Sequence, residues 1–250
     1  MHRDTSSRGD LQLYLTGEHD CSYIEGRQAR TLFVDPLARV DGERAQWLQQ
    51  IGFRRSGQHF YRPACRGCQR CVPIRIPVAE FQPNRSQRRN LRRNAEDVRL
   101  VVRSAELEIE HYQLYERYLN QRHGDGDMAE DVSIETYARF LLAPWGGETR
   151  FIELRGNDGT LLGVAVTDLF SDGLSAVYTF FDPEQGRRAL GTYAVLGQIR
   201  EAQRMNLGYL YLGYWIGESQ KMRYKENFRP LEAWNGHGWE RFERGKTIPY

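Results

Sequence analysis

The chain predicts an α+β protein in two parts: a cysteine-containing N-terminal domain over residues 1–97 and a mixed-sheet domain over residues 98–250. Three observations carry this expectation. Before residue 98 the apolar runs are short and broken by Gly, Pro and Cys, whereas beyond it long stretches follow strand or helix rhythm. Cys65, Cys68 and Cys71 stand three residues apart in YRPACRGCQRCVPIRI, residues 61–76, and Cys21 is the one other cysteine. Residues 54–103 hold thirteen arginines and no lysine against Glu80, Glu96 and Asp97, while 104–153 is rich in Glu and Asp. A basic block beside an acidic one points to a polyanionic partner meeting one lobe.

Composition bounds the rest. A chain of 250 residues can bury a sizeable core, and 40% hydrophobic with 27% charged residues is ordinary for a soluble globular protein. The opening MHRDTSSRGDLQLYLTG has no apolar core of signal-peptide length, and no run approaches the roughly 20 apolar residues of a membrane span. The expected location is the cytoplasm, where thiols stay reduced. There, a cysteine cluster signals metal or redox chemistry more often than cross-links.

The elements follow in order. DGERAQWLQQIGF (41–53) reads as a helix within the otherwise irregular first part. VRLVVRS alternates like a strand, and 105–123 places Leu107, His111, Leu114, Tyr115 and Tyr118 at helical spacing. Ser133 suits the N-cap of a second helix, 134–143, with Pro144 just past its end. RFIELR, TLLGVAVTDLF and LSAVYTFFD read as three antiparallel strands joined by Asn157-Asp158-Gly159 and Ser171-Asp172-Gly173. PEQGRRALGT then opens a helix running to about Met205, followed by the strand YLYLGYW (209–215) and the basic helical stretch SQKMRYKEN (219–227). This order is that of the acetyltransferase-like (GNAT) fold.

Four motifs carry candidate chemistry. Three thiolates at two-residue gaps can converge on one centre, with Cys21 as fourth ligand beside Cys65, Cys68 and Cys71. Zinc and iron–sulfur clusters both accept such a set, and spacing does not choose between them. In NRSQRRNLRRN (84–94), Arg85, Arg88, Arg89, Arg92 and Arg93 recur three or four apart on one broad helix side, with no neutralising carboxylate. Guanidinium groups there suit nucleic-acid phosphates. In QGRRALGTYAV (185–195), Arg188 and Gly191 suit a phosphate at a helix start, whereas Tyr193 fills a place where coenzyme A binding favours a small residue. Tyrosines of YLYLGYW facing VYTFFDPE suit a cleft with phenols as proton donors.

Taken together the residues resemble the arginyl-tRNA–protein transferase family, specifically its bacterial branch of aspartate/glutamate leucyltransferases. The matching strings are CSYIEGRQARTLFVDP (21–36), GFRRSGQHFYRPACRGCQRCVPIRIPV (52–78), SQRRNLRRN (86–94), VYTFFDPE (177–184), RALGTYAVLGQI (188–199) and YLYLGYWIGESQKMRYKENFRP (209–230). The resemblance implies transfer of leucine from leucyl-tRNA to an N-terminal Asp or Glu, marking the acceptor protein for degradation. It also implies an acetyltransferase-like domain that uses aminoacyl-tRNA and needs no cofactor for its chemistry.

That chemistry is aminolysis of an activated ester. An α-amine of pKa about 7.7–8.0 is partly neutral at cellular pH, so the reaction needs orientation, a proton sink and oxyanion donors. Tyr178 and Tyr214 are candidate donors, and Asp182 a candidate to orient the amine. The acceptor's carboxylate calls for a cation. Lys221 and Lys225, four apart in one helical stretch, and Arg75 are the candidates, with Arg223 assigned to the tRNA end. A coenzyme A-dependent N-acetyltransferase and a non-catalytic, metal-stabilised RNA-binding protein are the competing readings.

Overall fold

The computed structural model describes residues 11–122 and 132–249. Its N-terminal strands are β1 (Leu13–Leu15), β2 (His19–Asp20), β3 (Gln28–Ala29) and β4 (Thr31–Val34). Helix α1 (Gly42–Gln50) begins where the Asp41 carboxylate accepts the Arg44 N–H. Strands β5 (Arg54–Ser56) and β6 (His59–Pro63) follow, then β7 (Val72–Pro77). β1, β4, β6 and β5 pair in that order as a small antiparallel sheet, and β2 pairs with β3.

Helix α2 (Arg85–Ala95) starts with a reciprocal cap between Asn84 and Gln87. Then come β8 (Val98–Ser104), α3 (Ile109–Arg122), α4 (Ile134–Leu141), β9 (Glu148–Gly156), β10 (Leu161–Leu169) and β11 (Gly173–Phe181). Ser133 caps α4 as its sequence position suggests. Helix α5 (Leu190–Arg204), β12 (Tyr209–Trp215), the short α6 (Gln220–Arg223), β13 (Leu231–Trp234) and β14 (Trp239–Phe242) complete the described chain.

An eight-stranded mixed sheet, ordered β14-β13-β7-β12-β11-β10-β9-β8, organises the molecule. β11 and β12 run parallel; the other neighbouring pairs are antiparallel. β7 lies between β12 and β13, so residues 72–77 of the sequence-assigned N-terminal part form an inner strand of the larger sheet. β10 is buried along nearly its whole length, as a strand covered on both faces must be. One cover is α3 and α4, whose Leu114, Leu119, Tyr137 and Leu141 meet Phe151, Val164, Val166 and Phe180. On another side α5 sends Leu190, Tyr193 and Ala194 against Ile152, Leu154 and Ala165. The small sheet and α1 form a further cluster in which Leu48, Phe53 and Phe60 pack with Trp145 and Phe170. No helix among the described residues is long and apolar enough to cross a membrane.

The small sheet is bonded to the large one by charge. Arg55 on β5 grips Asp168 on β10 with Nε and Nη2, both at 2.7 Å, and the two side chains are 3% and 2% exposed. Thr149 adds a hydroxyl to the same carboxylate, and Trp145 lies 5.2 Å from the guanidinium. Arg55→Met leaves Asp168 buried without its cation. We expect a loss of about 3–5 kcal/mol, read as a lower urea midpoint at unchanged slope.

Candidate active site

β11 and β12 pair only over Gly173–Ser175 and Tyr209–Tyr211, although both strands continue beyond. The divergence has a local cause. The register of β12 against β7 slips between Tyr211 and Gly213, and Gly213 adopts φ +80°, so β12 bends there. Into the opening wedge comes Arg54 from β5. Its guanidinium donates to Ser175 Oγ at 2.8 Å and to the Ala176 carbonyl. A Cβ on Gly213 would sit 3.4 Å from that guanidinium.

Further polar groups line the wedge. The Tyr214 hydroxyl donates to the Gly52 carbonyl at 3.0 Å, with the Tyr61 carbonyl at 3.3 Å. Lys225 is buried and donates from Nζ to the Tyr214 carbonyl at 2.7 Å. Burial, and next the Arg54 charge, hold the Lys225 ammonium down at about 7 against the opposing pull of Cys71. Burial also lowers the Arg54 guanidinium, against the phenols of Tyr61 and Tyr214. Tyr23 and Tyr61, raised by burial, belong to the same cluster, and neither hydroxyl has a hydrogen-bond partner among the described residues. Arg54, Tyr23 and Tyr61 received no role from sequence reasoning. The signal was present in GFRRSGQHFYRP, where two consecutive arginines directly follow the apolar Phe53.

The predicted residues divide among several surroundings. Tyr178 lies on β11 with Phe140, Tyr115 and Tyr118 around its ring at 5.2, 6.1 and 6.4 Å. Its hydroxyl is buried without a partner among the described residues, and burial raises the phenol well above its ordinary value. Tyr214 belongs to the other cluster, where backbone carbonyls engage its hydroxyl. Asp182 caps the 3₁₀ turn Pro183–Arg188 by accepting the Glu184 N–H at 3.0 Å. Lys221 and Lys225 do not share a helix face: α6 ends at Arg223 and a 3₁₀ turn, Tyr224–Asn227, replaces it. Lys221 is exposed, whereas the tighter turn drives Lys225 inward. Exposed Arg223 ties the loop by donating to the Gly217 carbonyl at 2.7 Å. Arg75 points into the fold, paired to Glu232 at 2.7 Å and lying 3.6 Å over Tyr209 and 4.4 Å over Trp239.

All five α2 arginines (Arg85, Arg88, Arg89, Arg92 and Arg93) are exposed. The helix docks through amides instead: Gln87 reaches the Asn227 carbonyl, Asn90 those of Arg188 and Ala189, and Asn94 that of Arg188. Arg93 donates to the Arg187 carbonyl on the same loop. Arg188 is held by Asp97 through two bonds of 2.8 and 2.6 Å. Tyr193 is buried, with its hydroxyl on the Val98 carbonyl at 3.2 Å.

The four cysteines are free and half-buried, and Cys71 feels the other three. Among the described residues, however, no three His, Cys, Asp or Glu side chains stand grouped to hold a metal ion. Burial, its largest cause, pushes the Cys71 thiol up to about 12, which favours the neutral form. A surface cleft of about 500 Å³ beside Trp47 and Ser171 has Glu43 as its charged lining residue and offers no cation.

The charged features are thus a basic face on α2 and a buried polar wedge where β11 leaves β12. The N-terminal profile of the arginine-tRNA-protein transferases matches residues 19–89 and the C-terminal profile residues 110–235, so the chain belongs to that family. Among curated relatives, a protein of Saccharophagus degradans named aspartate/glutamate leucyltransferase is 48% identical over 93% of this chain and 98% of its own. Proteins of the same name from Hahella chejuensis (49%; 92% and 96% covered) and Marinobacter nauticus (48%; 92% and 95%) are similar throughout.

Lys225 gives the wedge a pH signature. Its folded value of about 7 lies below the ordinary 10.5, so between them the unfolded chain binds more protons and stability rises with pH. Cys71 acts oppositely above its ordinary 9.0, because only the unfolded thiol ionises there. Thermal melting should therefore show stability climbing from about pH 7 to 9, and Lys225→Met should flatten that climb.

Proposed function

We propose that the chain is an aminoacyl-tRNA–protein transferase that moves leucine from leucyl-tRNA to the N-terminal Asp or Glu of acceptor proteins. One observation carries this reading: the near end-to-end likeness, 93% of this chain and 98% of the other, to a relative named aspartate/glutamate leucyltransferase. The divergence of β11 from β12 after a parallel start supports an acetyltransferase-like arrangement for the larger sheet, with the wedge as its reaction centre. On this reading the protein works in the cytoplasm, and its products are marked for degradation.

In the reaction the acceptor's α-amine attacks the ester carbonyl of leucyl-tRNA. A C–N bond forms, the C–O bond to the terminal ribose breaks, one proton leaves the nitrogen and one reaches the ribose oxygen. The ester is already activated, so placement of the two substrates supplies most of the acceleration. The exposed arginines of α2 place the tRNA, with Arg223 near its end. Arg188, bound to Asp97, shapes the loop before α5. Tyr178, whose phenol stays protonated and has no partner among the described residues, is the proton donor for oxyanion or ribose oxygen on this reading. Asp182 sets the turn that leads to α5.

Purified protein, charged tRNA, labelled amino acids and peptides beginning with Asp, Glu, Asn or Lys test the reading. Leucine should pass from tRNA to the acidic peptides; acetyl transfer from acetyl-coenzyme A without tRNA would overturn it. The arginine face makes a separate prediction. Reversal of Arg88, Arg89 and Arg92 to Glu should leave melting unchanged and weaken tRNA binding. It should also reduce the salt slope by roughly 0.7–0.9 for each lost phosphate contact, measured by binding titrations at several salt concentrations.

A further inference from the structure

Given the aminoacyl transfer proposed above, we infer that the β11–β12 wedge receives the acceptor's side-chain carboxylate. Arg54 and Lys225 are its cations, and the Tyr23 and Tyr61 phenols lie within the field of Arg54. Two buried positive charges stand in each other's field here. A buried charge is costly unless paired, and two of the same sign aggravate the cost.

Elsewhere three arginines follow the pairing rule, while buried Arg229 is met by main-chain carbonyls with the Glu226 charge acting on it. Arg55 holds Asp168, Arg75 holds Glu232 and Arg188 holds Asp97, each through short bonds. Among the described residues Arg54 and Lys225 have only neutral hydrogen-bond partners: a hydroxyl and two main-chain carbonyls. The one carboxylate that acts on Arg54 appreciably is Asp168, already spent on Arg55. Donor capacity is also left over, because a guanidinium carries five N–H groups and an ammonium three. A single external carboxylate answers both the charge and the unused donors. An N-terminal Asn or Gln brings a carbonyl of similar shape without charge, so the two cations discriminate acid from amide. Supply by separate elements also suits the pocket to both acids. Arg54 enters from β5 and Lys225 from the 3₁₀ turn, so the two can grip side chains that differ by one methylene.

The test uses the full chain, leucyl-tRNA and paired peptides beginning with Asp or Asn. Lys225→Met should cut kcat/KM for the Asp peptide roughly 10- to 100-fold, the scale of a lost charge-assisted hydrogen bond. The Asn peptide should change little, so the Asp-to-Asn preference collapses. Lys225→Arg should restore much of that preference, which a merely structural role would not predict. Folding is checked by melting and by leucyl-tRNA affinity. A folded Lys225→Met variant with an undiminished Asp-to-Asn preference overturns the pocket.

A wild-type measurement stands independently of folding defects. The chain holds three lysines, Lys221, Lys225 and Lys246, so isotope-labelled lysine gives three side-chain NMR signals. The Asp peptide should shift the Lys225 signal and the Asn peptide should not. A Lys225 signal that ignores the Asp peptide at saturation overturns the pocket. If no peptide of any kind accepts leucine, the transfer reading fails, while the NMR titration still decides whether the wedge binds a carboxylate.

Discussion

The entry of the Arg54–Arg55 pair into the large sheet is the interaction on which the rest depends. A mixed sheet whose parallel pair opens after three residues leaves main-chain groups without ladder partners. Arg54 takes the Ala176 carbonyl at that opening, and Arg55 locks to Asp168 on the neighbouring strand. Gly213 permits the approach, since its positive φ bends β12 beside the guanidinium. Remove the pair and the wedge loses both its filling and its attachment to the small sheet.

This arrangement separates the protein's positive charges by task. On α2 the apolar face is nearly absent, so docking falls to Gln87, Asn90 and Asn94, whose amides bond to loop carbonyls. Because amides do the docking, the arginines of that helix are free to stay in solvent, where a phosphate backbone can reach them. Arg55, Arg75 and Arg188 are structural cations, each with its own carboxylate. Arg54 and Lys225 fall in neither group, being buried yet met only by neutral oxygens.

Much of the fold was legible in the sequence, and the exceptions have physical reasons. β9, β10, β11, α5 and β12 showed clear periods because each buries a long face, and Ser133 marked its helix by cap chemistry. The alternation of Val72, Ile74 and Ile76 suits a strand, but nothing local says that its partners are β12 and β13. The break after Arg223 was missed because YKEN carries no Gly or Pro, and with it the inward turn of Lys225. For the site, the α2 arginines were readable because exposure needs no partner. Arg54 was not, since consecutive arginines on a short strand read as surface until Ser175 and Ala176 are known to receive one of them.

A wedge that buries Arg54 and Lys225 without an internal acid is expensive to keep, and its position shows why the expense falls there. Stability would favour a carboxylate beside Arg54, as at Arg55, yet an internal acid would occupy the place an incoming ligand needs. The alternative is to spread the cost over the surroundings. Ser175 and the Ala176 carbonyl take part of the Arg54 charge, the Tyr214 carbonyl part of Lys225, and the depressed Lys225 value lets that group shed its proton when the pocket is empty. A carboxylate entering the wedge would restore the proton by raising that value again. Ligand binding and proton uptake are thus linked through one side chain, which ties the pH dependence of acceptor binding to the same residue that depresses the stability of the empty fold.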